Sequence, residues 1–170
     1  MHLIDSLLIF YIILTRIFEL FLSARNTKKL LNSGAKEFYP HHYKFIIFFH
    51  IFFITYFFYK SFETNYINLY LLFVFFIFQL LRYKIIYDLG KYWTTRIIVI
   101  QEPLINTWIF KKFRHPNYLV VFIEVFLVCL IFNDIYALLF FSLINGILIS
   151  LRVFYEEKAN NFRRNLKKNN

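Results

Sequence analysis

Arg114-His115-Pro116-Asn117-Tyr118, inside "FRHPNYL" at 113–119, is followed near the end of the chain by Arg152, Glu156 and Glu157 in "LRVFYEEKA" at 151–159. Arg152 and Glu156 are four apart and therefore project from one side of a helix. Pro116 suits a first helical turn, where its missing N–H removes no helical bond and neighbouring N–H groups stay free for a ligand. If the helix opening near 117 and the helix closing near 151 form a hairpin, these polar side chains share one membrane face. Together they would make a pocket with donors, acceptors and one fixed cation. On the residues alone, an ordinary account weighs equally: basic helix ends touching anionic headgroups, and an i,i+4 salt bridge.

The elements that must position this set are apolar. The chain has 170 residues, 59% hydrophobic and 24% aromatic, with three Gly and three Pro, which excludes an ordinary soluble domain. A helix needs about 20 apolar residues to cross a bilayer. Five segments come near that length, at roughly 3–22, 43–59, 66–83, 117–133 and 135–151. The last two are short and predict a tight hairpin turning at Asn133-Asp134, residues that favour turns. The expected fold is an all-α integral membrane domain covering 1–170, with about five transmembrane helices, a C-terminal helical hairpin and a cytoplasmic cofactor-sized pocket.

The net charge of +10 raises nucleic acid as a partner, but the charges alternate by loop. Arg25, Lys28, Lys29, Lys36 and Lys44 follow the first span; Lys84, Lys91, Arg96, Lys111, Lys112 and Arg114 follow the third; Lys158, Arg163, Arg164, Lys167 and Lys168 follow the fifth. The other two loops hold only Lys60, Glu63 and Asp134. This is the positive-inside pattern, which predicts an outside N-terminus and a cytoplasmic C-terminus, membrane lipids as neighbours, and no nucleic acid. The first apolar run reads as a retained helix, because its positive residues follow it and no small-residue cleavage site is evident.

Residues 87–113, "YDLGKYWTTRIIVIQEPLINTWIFKKF", lie in the connection at about 84–116, which is long for a loop and too apolar for disorder. It is expected to pack on the cytoplasmic face and help enclose the site. Within the spans, Arg16 and Glu19 share a helix face, and a salt bridge accounts for them at least as well as catalysis. Glu124 has no cation near it in sequence and either bonds a neighbouring helix or lines the cavity. His41, His42 and His50 read as interfacial polar residues, since no carboxylate stands at a ligand spacing; no metal is expected. Cys129 lies in an apolar run and reads as a small buried hydrophobe.

In its order and spacing, the set Arg114-His115-Pro116-Asn117-Tyr118, then Arg152 and Glu156-Glu157, resembles the signature of the isoprenylcysteine carboxyl methyltransferase family. "RIFELFLSARN", "HYKFIIFFH" and "LRYKIIYDLGKYWTTRIIVI" are similar to its small bacterial branch, the alkylpyrone O-methyltransferase-like one, some of whose members methylate a hydroxyl on long-chain alkylpyrones. The resemblance covers almost the whole chain and implies a multi-pass protein of a bacterial cell membrane that uses S-adenosylmethionine. It implies cofactor contacts from His115, Pro116, Asn117, Tyr118 and Glu156, and more loosely from Glu102, Pro103, Leu104, Ile105 and Phe110. Arg152 matches the position that faces the substrate, so Arg152 and Glu156 are the implied catalytic pair. The implied partner is a lipid-like or prenylated substrate entering from the bilayer, methylated on a carboxylate or an acidic hydroxyl. Two positions depart from the pattern: "NTWIF" lacks a Gly before its aromatic, and Phe154 stands where relatives often carry Arg. A non-catalytic membrane scaffold or lipid-binding protein of the same fold is the alternative, and a transporter is a weaker one, since paired repeats and broken helices are missing. Exposed aromatic faces leave lipid or a second copy open as neighbours.

Overall fold

The computed structural model describes residues 3–63, 68–102 and 107–166, apart from the side chains of Leu3 and of 162–166. Its long elements are α1 (Leu3–Asn32), α2 (His42–Glu63), α3 (Leu69–Leu89), α5 (Pro116–Ile131) and α6 (Ile135–Leu166). Between them lie two three-residue strands, β1 (Lys36–Phe38) and β2 (Ile97–Val99), and the short helix α4 (Trp108–Lys112). The long helices carry large apolar side chains on their outward surfaces, where Phe21, Phe48, Tyr70, Leu80 and Leu143 stand exposed.

Among the described residues, four helices are long and apolar enough to cross a membrane: Ile4–Asn32, His42–Glu63, Leu69–Tyr92 and Ile135–Asn161. The chain is a multi-pass membrane protein. The fourth of the five expected spans, α5, has 16 residues, about 24 Å of helix at 1.5 Å per residue. That is less than the hydrocarbon thickness of about 30 Å. Several helices also outrun the expected span ends, α1 reaching Asn32 and α6 Leu166. Hydropathy marks where apolar surroundings end, and a helix continues past that point through polar residues that still favour it.

Lipid gives apolar side chains no net drive to leave it, so helix association rests on close packing and polar bonds. Phe57 lies at the centre of an aromatic core, 4.9 Å from Phe53 and 5.0 Å from Phe132 by ring centroids. The polar bonds come from α1, α3 and α5. Arg16 donates to Glu19 at 2.8 Å and to Glu124 at 2.6 Å. Arg82 donates to Glu19 at 2.5 and 2.7 Å and to Glu124 at 2.8 Å, and Gln79 donates to the other Glu124 oxygen at 2.7 Å. Of the two readings open for Glu124, bonding to neighbouring helices is the one its contacts display, and Arg16–Glu19 is one edge of the same cluster.

The α5–α6 hairpin turns where expected. Asn133 takes a left-handed φ of 51°, a conformation Asn tolerates better than most residues. Asp134 then caps α6 by accepting from the Ala137 N–H at 3.0 Å, and Tyr56 donates to its other oxygen at 2.7 Å. Lys60 lies 3.4 Å away. Burial works against the Asp134 carboxylate, but the Ala137 amide, Tyr56 and Lys60 outweigh it and hold its pKa below the ordinary value of 3.8.

At the opposite end, α3 stops at Gly90, whose φ of 50° suits a residue without Cβ. Its carbonyl and that of Trp93 accept from Asn26 of α1 at 3.0 and 2.9 Å. Thr95 is held by Ser23 of α1 and Tyr43 of α2. β2 then pairs antiparallel with β1, Lys36 opposite Val99 and Phe38 opposite Ile97, and Arg96 adds a 3.1 Å ion pair to Glu37. The connection is thereby laid across this end of the bundle, as its apolar patches predict.

Candidate functional site

The connection, the start of α5 and the last turns of α6 enclose a cavity of about 250 Å³. His115, Pro116, Asn117 and Tyr118 line it from α5, and Arg152, Glu156, Glu157 and Asn160 from α6. Trp93, Thr94 and the run from Arg96 to Ile100 line it from the connection, with Leu30, Leu89, Tyr92, Phe110 and Arg114 completing the wall. The hairpin is what brings the two polar segments together: Tyr118 of α5 meets Arg152 and Glu156 of α6, which continues past them to Leu166.

Pro116 takes the first position of α5, directly after the cap residue His115. The His115 ring stacks on Tyr118, centroids 5.6 Å apart and planes at 17°. Its Nε2 lies 3.2 Å from Glu157, which also receives Arg114 at 2.9 Å. Tyr118 donates its hydroxyl to Glu156 and accepts from Arg152 Nε at 3.0 Å. The guanidinium also sits 5.7 Å from the Tyr118 ring centre and 3.2 Å from Nε2 of His42. Arg152 is only 7% exposed, and among the described residues no carboxylate oxygen lies within ion-pairing distance of it. Buried charges are ordinarily paired directly, whereas this cation faces the cavity with its nearest carboxylate, Glu156, reached only through the Tyr118 hydroxyl. Two further wall residues carry unmet polar atoms: Asn117 Oδ1 and Trp93 Nε1 are buried without a hydrogen-bond partner among the described residues.

The structure thus brings together Phe110, His115, Pro116, Asn117, Tyr118, Arg152 and Glu156 of the expected site. Glu102 stands apart from the wall: Tyr92, which does line the cavity, donates to its carboxylate, and Lys91 lies 3.3 Å from it. Pro103, Leu104 and Ile105 lie outside the described residues. Trp93 and the β2 segment also line the cavity, and His42, expected as an interfacial polar group, reaches Arg152. For Trp93 and β2 the signal in the sequence is the apolar character of the connection, which singles out no residue, and His42 lies outside that stretch.

The profile of the Isoprenylcysteine carboxyl methyltransferase (ICMT) family matches residues 69–161, a stretch that holds the connection and both polar segments. A relative from Bacillus subtilis (strain 168), described as "Uncharacterized protein YpbQ", is 33% identical over 162 residues, covering 90% of this chain and 94% of the relative. No solved structure matches the chain significantly. With the motif, the profile and the full-length relative in agreement, the chain belongs to the isoprenylcysteine carboxyl methyltransferase family of membrane methyltransferases.

Proposed function

We propose that this protein is an S-adenosylmethionine-dependent O-methyltransferase acting on a carboxylate or acidic hydroxyl at the head of a lipid-tailed molecule. The observation that carries the reading is Arg152: a buried guanidinium on the cavity wall, held by a tyrosine and a histidine, with its charge left for a ligand. An oxygen acid is the ligand such a cation selects, through charge-assisted hydrogen bonds.

The wall also suits the cofactor. Glu156, Glu157 and the unmet Asn117 Oδ1 would accept from its amino and hydroxyl groups, and the unmet Trp93 N–H would donate to a ring or carboxylate acceptor. His115 and Tyr118, stacked on each other, form a flat seat beside them. S-adenosylmethionine supplies an electrophilic methyl group on a sulfonium sulfur. The chain's own tasks are alignment and exclusion of water. Arg152 holds the acceptor oxygen with a lone pair free, and such an oxygen is already ionised near neutral pH. No strong general base is then needed.

Leu151 and Phe154, on either side of Arg152 in sequence, are 46% and 60% exposed on a helix that crosses the membrane. An acceptor's hydrocarbon tail would lie along that apolar surface, with Phe154 extending it. The distribution of Lys and Arg supports a cytoplasmic cavity and C-terminus, and the whole chain acts as one domain.

The test is transfer from methyl-labelled S-adenosylmethionine by the purified protein in lipid nanodiscs, offered a bacterial lipid extract or N-acetyl-S-farnesylcysteine. Label in the organic phase, lost with Arg152→Ala, supports the proposal. Cofactor binding without transfer to either acceptor favours the scaffold alternative, and no cofactor binding at all refutes the reading.

A further inference from the structure

Arg152 offers five N–H groups, and the way two of them are used bears on what the cavity selects. Nε donates to Tyr118 and Nη1 lies 3.2 Å from His42 Nε2, at the start of α2. A guanidinium can only donate, so His42 Nε2 must carry a lone pair. The other ring nitrogen, Nδ1, is hydrogen-bonded to the backbone carbonyl of Tyr39, which can only accept. The proton therefore sits on Nδ1, and the imidazole is neutral.

That carbonyl is firmly placed. Tyr39 has a φ of 50°, uncommon for a residue with a Cβ, directly after β1. Its ring stacks on Tyr155 of α6 at 4.8 Å and 27°, three residues beyond Arg152. His42 also packs against Tyr155, with ring centroids 5.3 Å apart. A relay runs from the Tyr39 carbonyl through the His42 ring to Arg152, joining the α1–α2 link to α6. A carboxylate at the His42 position would hold the guanidinium equally well but would cancel the charge an anionic acceptor must meet.

We propose that His42 is a positioning residue for acceptor recognition: its neutral imidazole fixes the Arg152 guanidinium toward the cavity without neutralising it. The inference rests on the methyl-transfer reading above and adds that this site selects ionised over neutral oxygen through a histidine outside the polar motif. His42 itself touches no reacting atom.

Three substitutions separate the role from simple packing. His42→Gln keeps an acceptor near Nε2, His42→Phe keeps the ring and removes the acceptor, and His42→Glu keeps an acceptor but adds the cancelling charge. In nanodiscs, with N-acetyl-S-farnesylcysteine or the lipid extract as probe, His42→Phe should raise the acceptor KM about tenfold, roughly one hydrogen bond to a charged group. Cofactor Kd should stay within about twofold, since His42 lies outside the groups assigned to the cofactor. His42→Gln should stay within about threefold of wild type, and His42→Glu should lose at least as much as His42→Phe. Equal behaviour of Gln and Glu, or wild-type KM in His42→Phe, overturns the inference. An independent readout is the ¹⁵N spectrum of histidine-labelled protein, the His42 signals being those lost in His42→Gln. A proton on Nδ1 alone is expected, and a proton on Nε2 overturns the relay. Wild-type protein that transfers no methyl group to either probe refutes the methyl-transfer reading, and the spectrum then decides the His42–Arg152 contact by itself.

Discussion

In the cluster joining α1, α3 and α5, Arg16 and Arg82 meet Glu19 and Glu124, two cations against two carboxylates, with Gln79 bonded to the remaining Glu124 oxygen. At the cavity, Arg152 meets Tyr118 and His42, and the nearby carboxylates are engaged by Tyr118, His115 and Arg114 instead. Both regions place arginine and glutamate at helix interfaces, with Arg82 and Arg152 buried. One closes its charges on each other, which leaves nothing to offer a ligand and ties three helices together. The other leaves a guanidinium without a direct carboxylate partner and, among the described residues, an amide oxygen and an indole N–H unmet, which is a poor way to hold helices and a good way to hold a polar molecule.

The contrast breaks most visibly at Glu124. Glu124→Ala would leave Arg16 and Arg82 sharing Glu19 alone, two cations against one carboxylate, and loss of one partner of a buried ion pair destabilises by about 3–5 kcal/mol. Unfolding in detergent should show that loss whatever ligand is present. Arg152→Ala should move unfolding by no more than about 1 kcal/mol, because it removes a cation that lacks an anion. Its acceptor kcat/KM should nevertheless fall roughly a hundredfold, in line with losing one or two charge-assisted hydrogen bonds. Glu156→Gln should weaken cofactor binding about tenfold, with a calorimetric titration as the check, since the amide accepts less strongly than the carboxylate.

The smallest effect belongs to Asp134, at the hairpin turn far from the cavity. Its folded pKa is depressed, so its contribution is fully present above the ordinary value of 3.8 and disappears as pH falls through the lower folded value. Asp134→Asn should remove that part of the acid sensitivity and leave methyl transfer unchanged, as pH-dependent unfolding of the two proteins would show.

The polar motif was legible because its parts are close in sequence or one helical turn apart, and the hairpin follows from two apolar runs around Asn133-Asp134. The helical membrane fold was legible from the same apolar runs. What was hidden depends on contacts between distant segments. Glu124 has no cation near it in sequence, yet Arg16 is 108 positions away and Arg82 is 42 away. His42 reaches Arg152 across 110 positions, and nothing local distinguishes it from an interfacial histidine. The β1–β2 pair is three residues long on each side, too short for alternation to announce it. Helix ends are not marked by the apolar runs, since a change in hydropathy marks the lipid boundary and leaves the hydrogen-bond ladder intact.

The most direct measurement is a side-by-side comparison of Glu124→Ala and Arg152→Ala, recording thermal unfolding and transfer of labelled methyl groups into a lipid extract from the same nanodisc preparations. The account predicts that Arg152→Ala unfolds like wild type and transfers almost no label, while Glu124→Ala unfolds far earlier. An Arg152→Ala protein that transfers like wild type, or that unfolds as early as Glu124→Ala, would contradict it.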